Sequence, residues 1–183
     1  IRIGYNLMQS IHMNRYPVIF ASMVTKGCVE SGKSVQHGGA KYSTAGMYVT
    51  GPANLADCIV AIETCVFKDH DVTMDELIRA CDTNFEGQER LRQLLLNKPE
   101  KYGNNQAHVD AVYKEMVDFI AENVQQWHDA RGGYYAFGID SQTMNIPHGQ
   151  VTGALPDGRK AGEPFCDASS PMMGRDIHGP TAT

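Results

Sequence analysis

The sequence predicts an α/β fold with parallel strands. Two strand-like runs, YSTAGMYVTG over 42–51 and FGIDSQTMNI over 137–146, are separated by four helical patterns. A strand followed by helices before the next strand is the grammar of parallel pairing, because a parallel connection needs a crossover. Two such strands do not close a sheet, so the strand edges are expected to find their partners in a larger structure.

Residues 5–25 are mostly apolar and helix-compatible, with Pro17 marking a break or a helix start. Gly38 and Gly39 precede the first strand, whose aromatic and β-branched content suggests burial on both faces. From Pro52 to Phe67, Leu55, Ile59, Ile62 and Val66 recur at helical spacing. Thr73 with Glu76 three residues on forms a capping box, opening a helix with Leu77, Ile78 and Cys81 turned inward. A further helix spans Gln88 to Leu96 and stops before Pro99. The longest runs from His108 to about Trp127, with Val109, Val112, Met116, Phe119, Ile120 and Val124 on one stripe. In the second strand, alternation places either Asp140, Gln142 and Met144 or their neighbours on the inner face.

From Arg131 onward, glycine or proline recurs every few residues. Compact domains rarely hold an irregular stretch this long unless it is functional or disordered. Tyr134, Tyr135, Phe137, Ile139, Met144, Ile146, Leu155 and Phe165 supply apolar anchors that disordered tracts lack. This segment is therefore expected to thread through a larger structure. Within it, Pro156-Asp157-Gly158-Arg159 reads as a tight structural turn.

A chain of 183 residues can bury a core of its own, and 42% hydrophobic with 20% charged residues is ordinary globular composition. The net charge of -5 argues against nucleic acid or an anionic membrane as partner. No apolar run has the length of a bilayer span, and no signal peptide is read at the start. Five cysteines without a CxxC pair indicate neither a disulfide framework nor a zinc site, so a reducing cytoplasm is the expected compartment. The seven histidines show no metal-ligand spacing. Gly27 through Ser34 fits the phosphate-binding pattern GxxxxGK[ST], with Lys33 in the lysine position. Its context argues against that use, because the glycine-rich VQHGGAKYS follows where a helix should begin. A nucleotide-binding protein stays as an alternative.

The pattern along the chain resembles the glycyl radical enzymes, the family of pyruvate formate-lyase and of related radical dehydratases and lyases. The residues that carry it are Gly38-Gly39-Ala40-Lys41-Tyr42, Ala53-Asn54-Leu55-Ala56-Asp57, Leu94-Leu95-Leu96-Asn97 and Lys101-Tyr102-Gly103-Asn104. Downstream they are Gly132-Gly133, Gly138, Ser141, Asn145, Pro147, Gly149, Gly153-Ala154, the run Pro156 to Pro164, Ser170-Pro171, Gly174, Asp176 and Gly179 to Ala182. LLLNKPEKYGN and the stretch from Pro147 to Ala182 look closer to the dehydratase and lyase branch than to pyruvate formate-lyase itself. The resemblance implies a piece of the second half of a ten-stranded α/β barrel over 1–130, with the start of the glycine radical domain over 131–183.

The resemblance also implies site residues. Gly27-Cys28-Val29-Glu30 spells the tetrapeptide in which such dehydratases place a thiyl-forming cysteine and a basic glutamate. Cys28 nevertheless sits only ten residues before Gly38, whereas the family's active cysteine lies far upstream of that glycine pair. The match of Cys28–Tyr42 to a second, non-catalytic segment is the preferred reading, with catalysis by Cys28 and Glu30 as the alternative. Thr44, Tyr48, Asp140 and Gln142 lie in segments that line the family's substrate cavity. A buried Asp140 would suit a polar or cationic substrate or a proton transfer, and the competing reading turns it outward. No glycyl loop of the form R-V-x-G-Y occurs. The resemblance places it beyond Thr183 and the cysteine loop before Ile1, so the chain alone is expected to be inert. The parent would act anaerobically on a small polar metabolite, as a homodimer, after a radical S-adenosylmethionine enzyme installs its radical. A non-catalytic truncated paralogue is the remaining alternative.

Overall fold

The structure, a computed structural model, describes residues 2–183. The chain divides into two compact units, one of residues up to Tyr48 with Phe119–Gly138, the other of Val49–Asp118 with Ile139–Thr183.

The first unit opens with α1 (Arg2–Arg15) and α2 (Ile19–Val24), which Pro17 separates as the sequence suggests. A short α3 (Cys28–Ser31) and a 3-10 turn at Val35–His37 lead to β1 (Thr44–Tyr48). β2 (Tyr134–Gly138) pairs with β1 in parallel, in register from Thr44 opposite Tyr134 to Tyr48 opposite Gly138. Ala45, Met47, Tyr135 and Phe137 occupy one face of this ribbon and pack with Val124, Ile120 and Trp127 from the end of α7 (Ala107–Gln125) and just beyond it. Burial on both faces is therefore a correction to the sequence reading, since Thr44, Gly46 and Tyr48 on the other face are exposed.

The second strand also lies earlier than the sequence suggests. The aromatic residues Tyr134, Tyr135 and Phe137 form it, whereas Asp140, Ser141 and Gln142 are turn formers and leave it. Asn145–Gln150 is α8, with Pro147 inside the first turn, where a missing N–H costs nothing. The turn before β2 is keyed by Asp129, which accepts N–H bonds from Arg131 at 2.9 Å and Gly133 at 2.8 Å. A side chain at Gly133 would put Cβ 2.3 Å from the Ser43 carbonyl oxygen, so only glycine fits.

The second unit starts with α4 (Pro52–Ile62), whose proline stands at the start of the helix, where proline is favoured. The helix then widens into a π turn over Glu63–Lys68, which apolar spacing alone did not indicate. α5 (Met74–Asp82) and α6 (Glu89–Asn97) follow. Ala61, Cys65, Leu77, Ala80, Phe85 and Leu95 form one core, and Ala56, Val60 and Val109 with Val112 and Met116 form another. Ile78 and Phe119 depart from the inward positions expected of them and are exposed. After α8, residues 151–183 contain no helix or strand and form an irregular strap.

The capping box at α5 is present as read: Thr73 Oγ1 accepts from Glu76 N at 3.3 Å, and Glu76 Oε2 accepts from Thr73 N at 2.9 Å. Thr73→Ala is expected to cost about 1 kcal/mol locally, seen as roughly fivefold faster amide exchange at Glu76 and Leu77.

Candidate functional site

The ribbon of the first unit has one covered face and one open face. Alternation sends Thr44, Gly46 and Tyr48 to the open face of β1 and Tyr134, Ala136 and Gly138 to that of β2. Helices cover the other face, including α1, where Asn6 Oδ1 accepts from the Tyr135 hydroxyl at 2.7 Å. Arg131 fixes the start of β1 by donating from Nη2 to the Thr44 carbonyl at 2.8 Å while its guanidinium pairs with Asp129 at 2.7 Å. The Thr44 and Tyr48 hydroxyls have no hydrogen-bond partner among the described residues. Two of the residues singled out from the sequence thus share one uncovered face, with free hydroxyls on a rigid pair of strands.

Asp140 and Gln142 belong to the second unit, in the irregular stretch between β2 and α8. Both are exposed, and neither side chain makes a hydrogen bond among the described residues. Because β2 ends at Gly138, strand alternation does not govern their orientation.

Cys28 is 3% exposed at the start of α3, and Glu30 Oε2 accepts from the Gly27 N–H at 3.0 Å. The carboxylate therefore caps a helix, and the thiol lies in the interior. The phosphate-loop reading fails on context. Gly27–Ser34 is preceded by α2 rather than a strand, and Ser34 leads into a single 3-10 turn rather than an α-helix. Among the described residues, no cluster of three or more His, Cys, Asp or Glu could hold a metal ion, and no helix is long and apolar enough to cross a membrane.

Sequence reasoning missed a buried polar lattice in the second unit. Asn54, 1% exposed on α4, donates to Asp157 Oδ2 at 2.9 Å and accepts from the Cys166 N–H at 2.8 Å, so one side chain holds both ends of the 157–166 loop. Arg159, 2% exposed, donates to the carbonyls of Gly149, Gly153 and Glu163 at 2.7, 2.8 and 2.9 Å. Its guanidinium is turned to the chain's own carbonyls and lies over the Phe165 ring, 4.4 Å from the centroid. Asn104 donates to the Arg175 carbonyl at 2.8 Å and accepts from the His178 N–H at 3.2 Å. A hollow of about 660 Å³ is walled by the strap itself, with Phe165, Pro171 and Met172 on its sides.

Asp57 lies in the same lattice, accepting the Tyr102 N–H at 2.9 Å. Burial pushes its carboxyl up to about 6, against the pull of Lys101, and burial also lowers the Lys101 ammonium. A carboxyl raised in the folded state penalises folding when ionised. The penalty, about 3 kcal/mol, is present above pH 6 and fades as the pH falls towards 4. Asp57→Asn keeps an acceptor for Tyr102 and is expected to raise the stability of the intact protein at pH 7. Denaturation at pH 7 and pH 5 checks this, the gain shrinking at the lower pH.

Comparison with known proteins places this geometry. The pyruvate formate lyase-like family model matches residues 2–149. The chain is 34% identical over 179 residues to trans-4-hydroxy-L-proline dehydratase of Clostridioides difficile, covering 98% of this chain and 23% of that protein. It superimposes with a TM-score of 0.90 on the glycerol-bound form of the B12-independent glycerol dehydratase from Clostridium butyricum, at 36% identity over 97% of this chain and 22% of that one. A glycyl radical enzyme from Archaeoglobus fulgidus gives 0.92 at 36% identity, over 99% of this chain and 23% of that one. The chain thus spans less than a quarter of the length of the relatives it matches.

Proposed function

This chain belongs to the pyruvate formate lyase-like family, the glycyl radical enzymes, and from that membership we propose that the complete protein is a radical dehydratase or lyase of a small hydroxylated metabolite. The observation that carries the reading is the match of nearly the whole chain to two dehydratases whose names specify hydroxylated compounds, glycerol and hydroxyproline. The residues described here supply scaffold and part of the site wall. By this reading they form a portion of the second half of the barrel, with the glycine radical domain starting near Arg131.

The radical-bearing glycine and the thiyl-forming cysteine belong to segments outside Ile1–Thr183, and this piece alone is inert. Burial of Cys28 and the capping role of Glu30 support a structural assignment for that pair. Thr44 and Tyr48 contact substrate from the open strand face. A radical S-adenosylmethionine enzyme installs the radical, and the active form is a cytoplasmic homodimer.

The coding DNA on both sides of this segment tests the proposal. A cysteine loop upstream and an R-V-x-G-Y loop downstream are the expected result. A start codon just before Ile1 with a stop just after Thr183 would leave no place for a radical and would overturn it.

A further inference from the structure

The open face of the ribbon is unusual in its C-terminal half. Gly46 and Gly138, on neighbouring strands, leave space where two side chains would stand, and the Tyr48 ring fills it. A Cβ built at Gly46 would lie 3.0 Å from Tyr48 Cε2 and 3.1 Å from its hydroxyl oxygen, and one at Gly138 would lie 3.1 Å from Cε1. The ring therefore leans back along β1 and across to β2 instead of projecting away from the sheet. Its hydroxyl is brought over Gly46, beside Ala136 and towards Thr44, with no partner among the described residues. Successive same-face positions on a strand are about 7 Å apart. Two unpaired hydroxyls of one strand are thereby offered to a ligand across a space fitting a few heavy atoms, with small residues between them.

We infer that Tyr48 binds a hydroxyl group of a small hydroxylated ligand on this face, with Thr44 as the second contact and the Gly46–Gly138 pair as the seat that holds the ring down. The inference rests on the dehydratase reading and deepens it by naming the group that recognises the ligand. It also makes Gly46 a specificity position. An added methyl there would need the ring to give by a few tenths of an ångström, and a larger side chain would lift it off the sheet. The hydroxyl would then leave the position over Gly46 while the tyrosine remained present.

The test is calorimetric binding of glycerol and of trans-4-hydroxy-L-proline to the complete, unactivated enzyme, with turnover measured separately after activation. Tyr48→Phe is expected to weaken the bound ligand about five- to tenfold, as the loss of one hydrogen bond should. Gly46→Ala is expected to weaken it as well, although it removes no polar group. Met47→Leu, on the helix-covered face, serves as the control for general damage and should bind normally. Wild-type affinity in Tyr48→Phe, or binding of neither compound by the wild type, overturns the inference. Weakened binding in Tyr48→Phe with no turnover by the activated wild type upholds it and removes the dehydratase reading instead.

Discussion

The 183-residue chain expressed alone is expected to associate and to lack a cooperative melting transition. Its sheet consists of two strands among the described residues, so each has an edge with unpaired N–H and C=O groups, a template for another chain. The first unit compounds this, because α2 presents Ile19, Phe20, Met23 and Val24 to solvent, with Phe20 79% exposed. Ile3, Leu7 and Ile11 of α1 are exposed as well. Apolar surface on that scale is a contact surface waiting for cover, and domain stability of only about 5–15 kcal/mol leaves little margin for its absence. Light scattering and thermal denaturation of the purified chain check the expectation. A monomer that melts in one sharp transition would contradict it.

The second large effect is expected at Asn54, a residue with no chemistry of its own. Asn54→Leu would leave the Asp157 carboxylate without its amide donor and the Cys166 N–H without an acceptor, both in the interior. Buried groups stranded in this way cost about 1–3 kcal/mol each, so a loss of about 3 kcal/mol or more is expected. The damage should be local to the strap. In the complete enzyme, amide exchange around Phe165 and Cys166 should accelerate by two orders of magnitude or more, with α5 and α6 unchanged. A change of less than about 1 kcal/mol would mean that the strap is held by something other than this lattice.

How much of this was legible in the sequence depended on whether a feature is local. The Thr73 cap, the break at Pro17 and the spacing of Val109 and Val112 were readable because each is fixed within a few residues. The start of the second strand has a local cause too: the aromatic β preference of Tyr134 and Tyr135, which the glycine pair before them disguises as loop, begins the strand there. Burial of Asn54, Asp57 and Arg159 was not legible, because a polar side chain goes inside only when partners distant in sequence satisfy it. The Asn54 amide and Asp157 are such partners, far apart along the chain.

For the candidate site, the resemblance singled out Thr44 and Tyr48, while the sequence reading buried both faces of their strand. That helices cover the opposite face became clear only from Val124, Ile120 and Tyr135 packing there. The tilt of the Tyr48 ring follows from Gly138 standing opposite it on the adjacent strand and Gly46 two residues before it on its own, which no single segment encodes. Family resemblance supplied what neither spacing nor composition could, namely membership in the pyruvate formate lyase-like family.

The most direct test of that central claim is electron paramagnetic resonance of the complete enzyme after anaerobic incubation with a radical S-adenosylmethionine activating enzyme and a reductant. An organic radical signal on the polypeptide, lost on exposure to oxygen, is expected. A protein that carries both flanking loops and shows no radical signal, under conditions in which the activating enzyme cleaves S-adenosylmethionine, would contradict that claim.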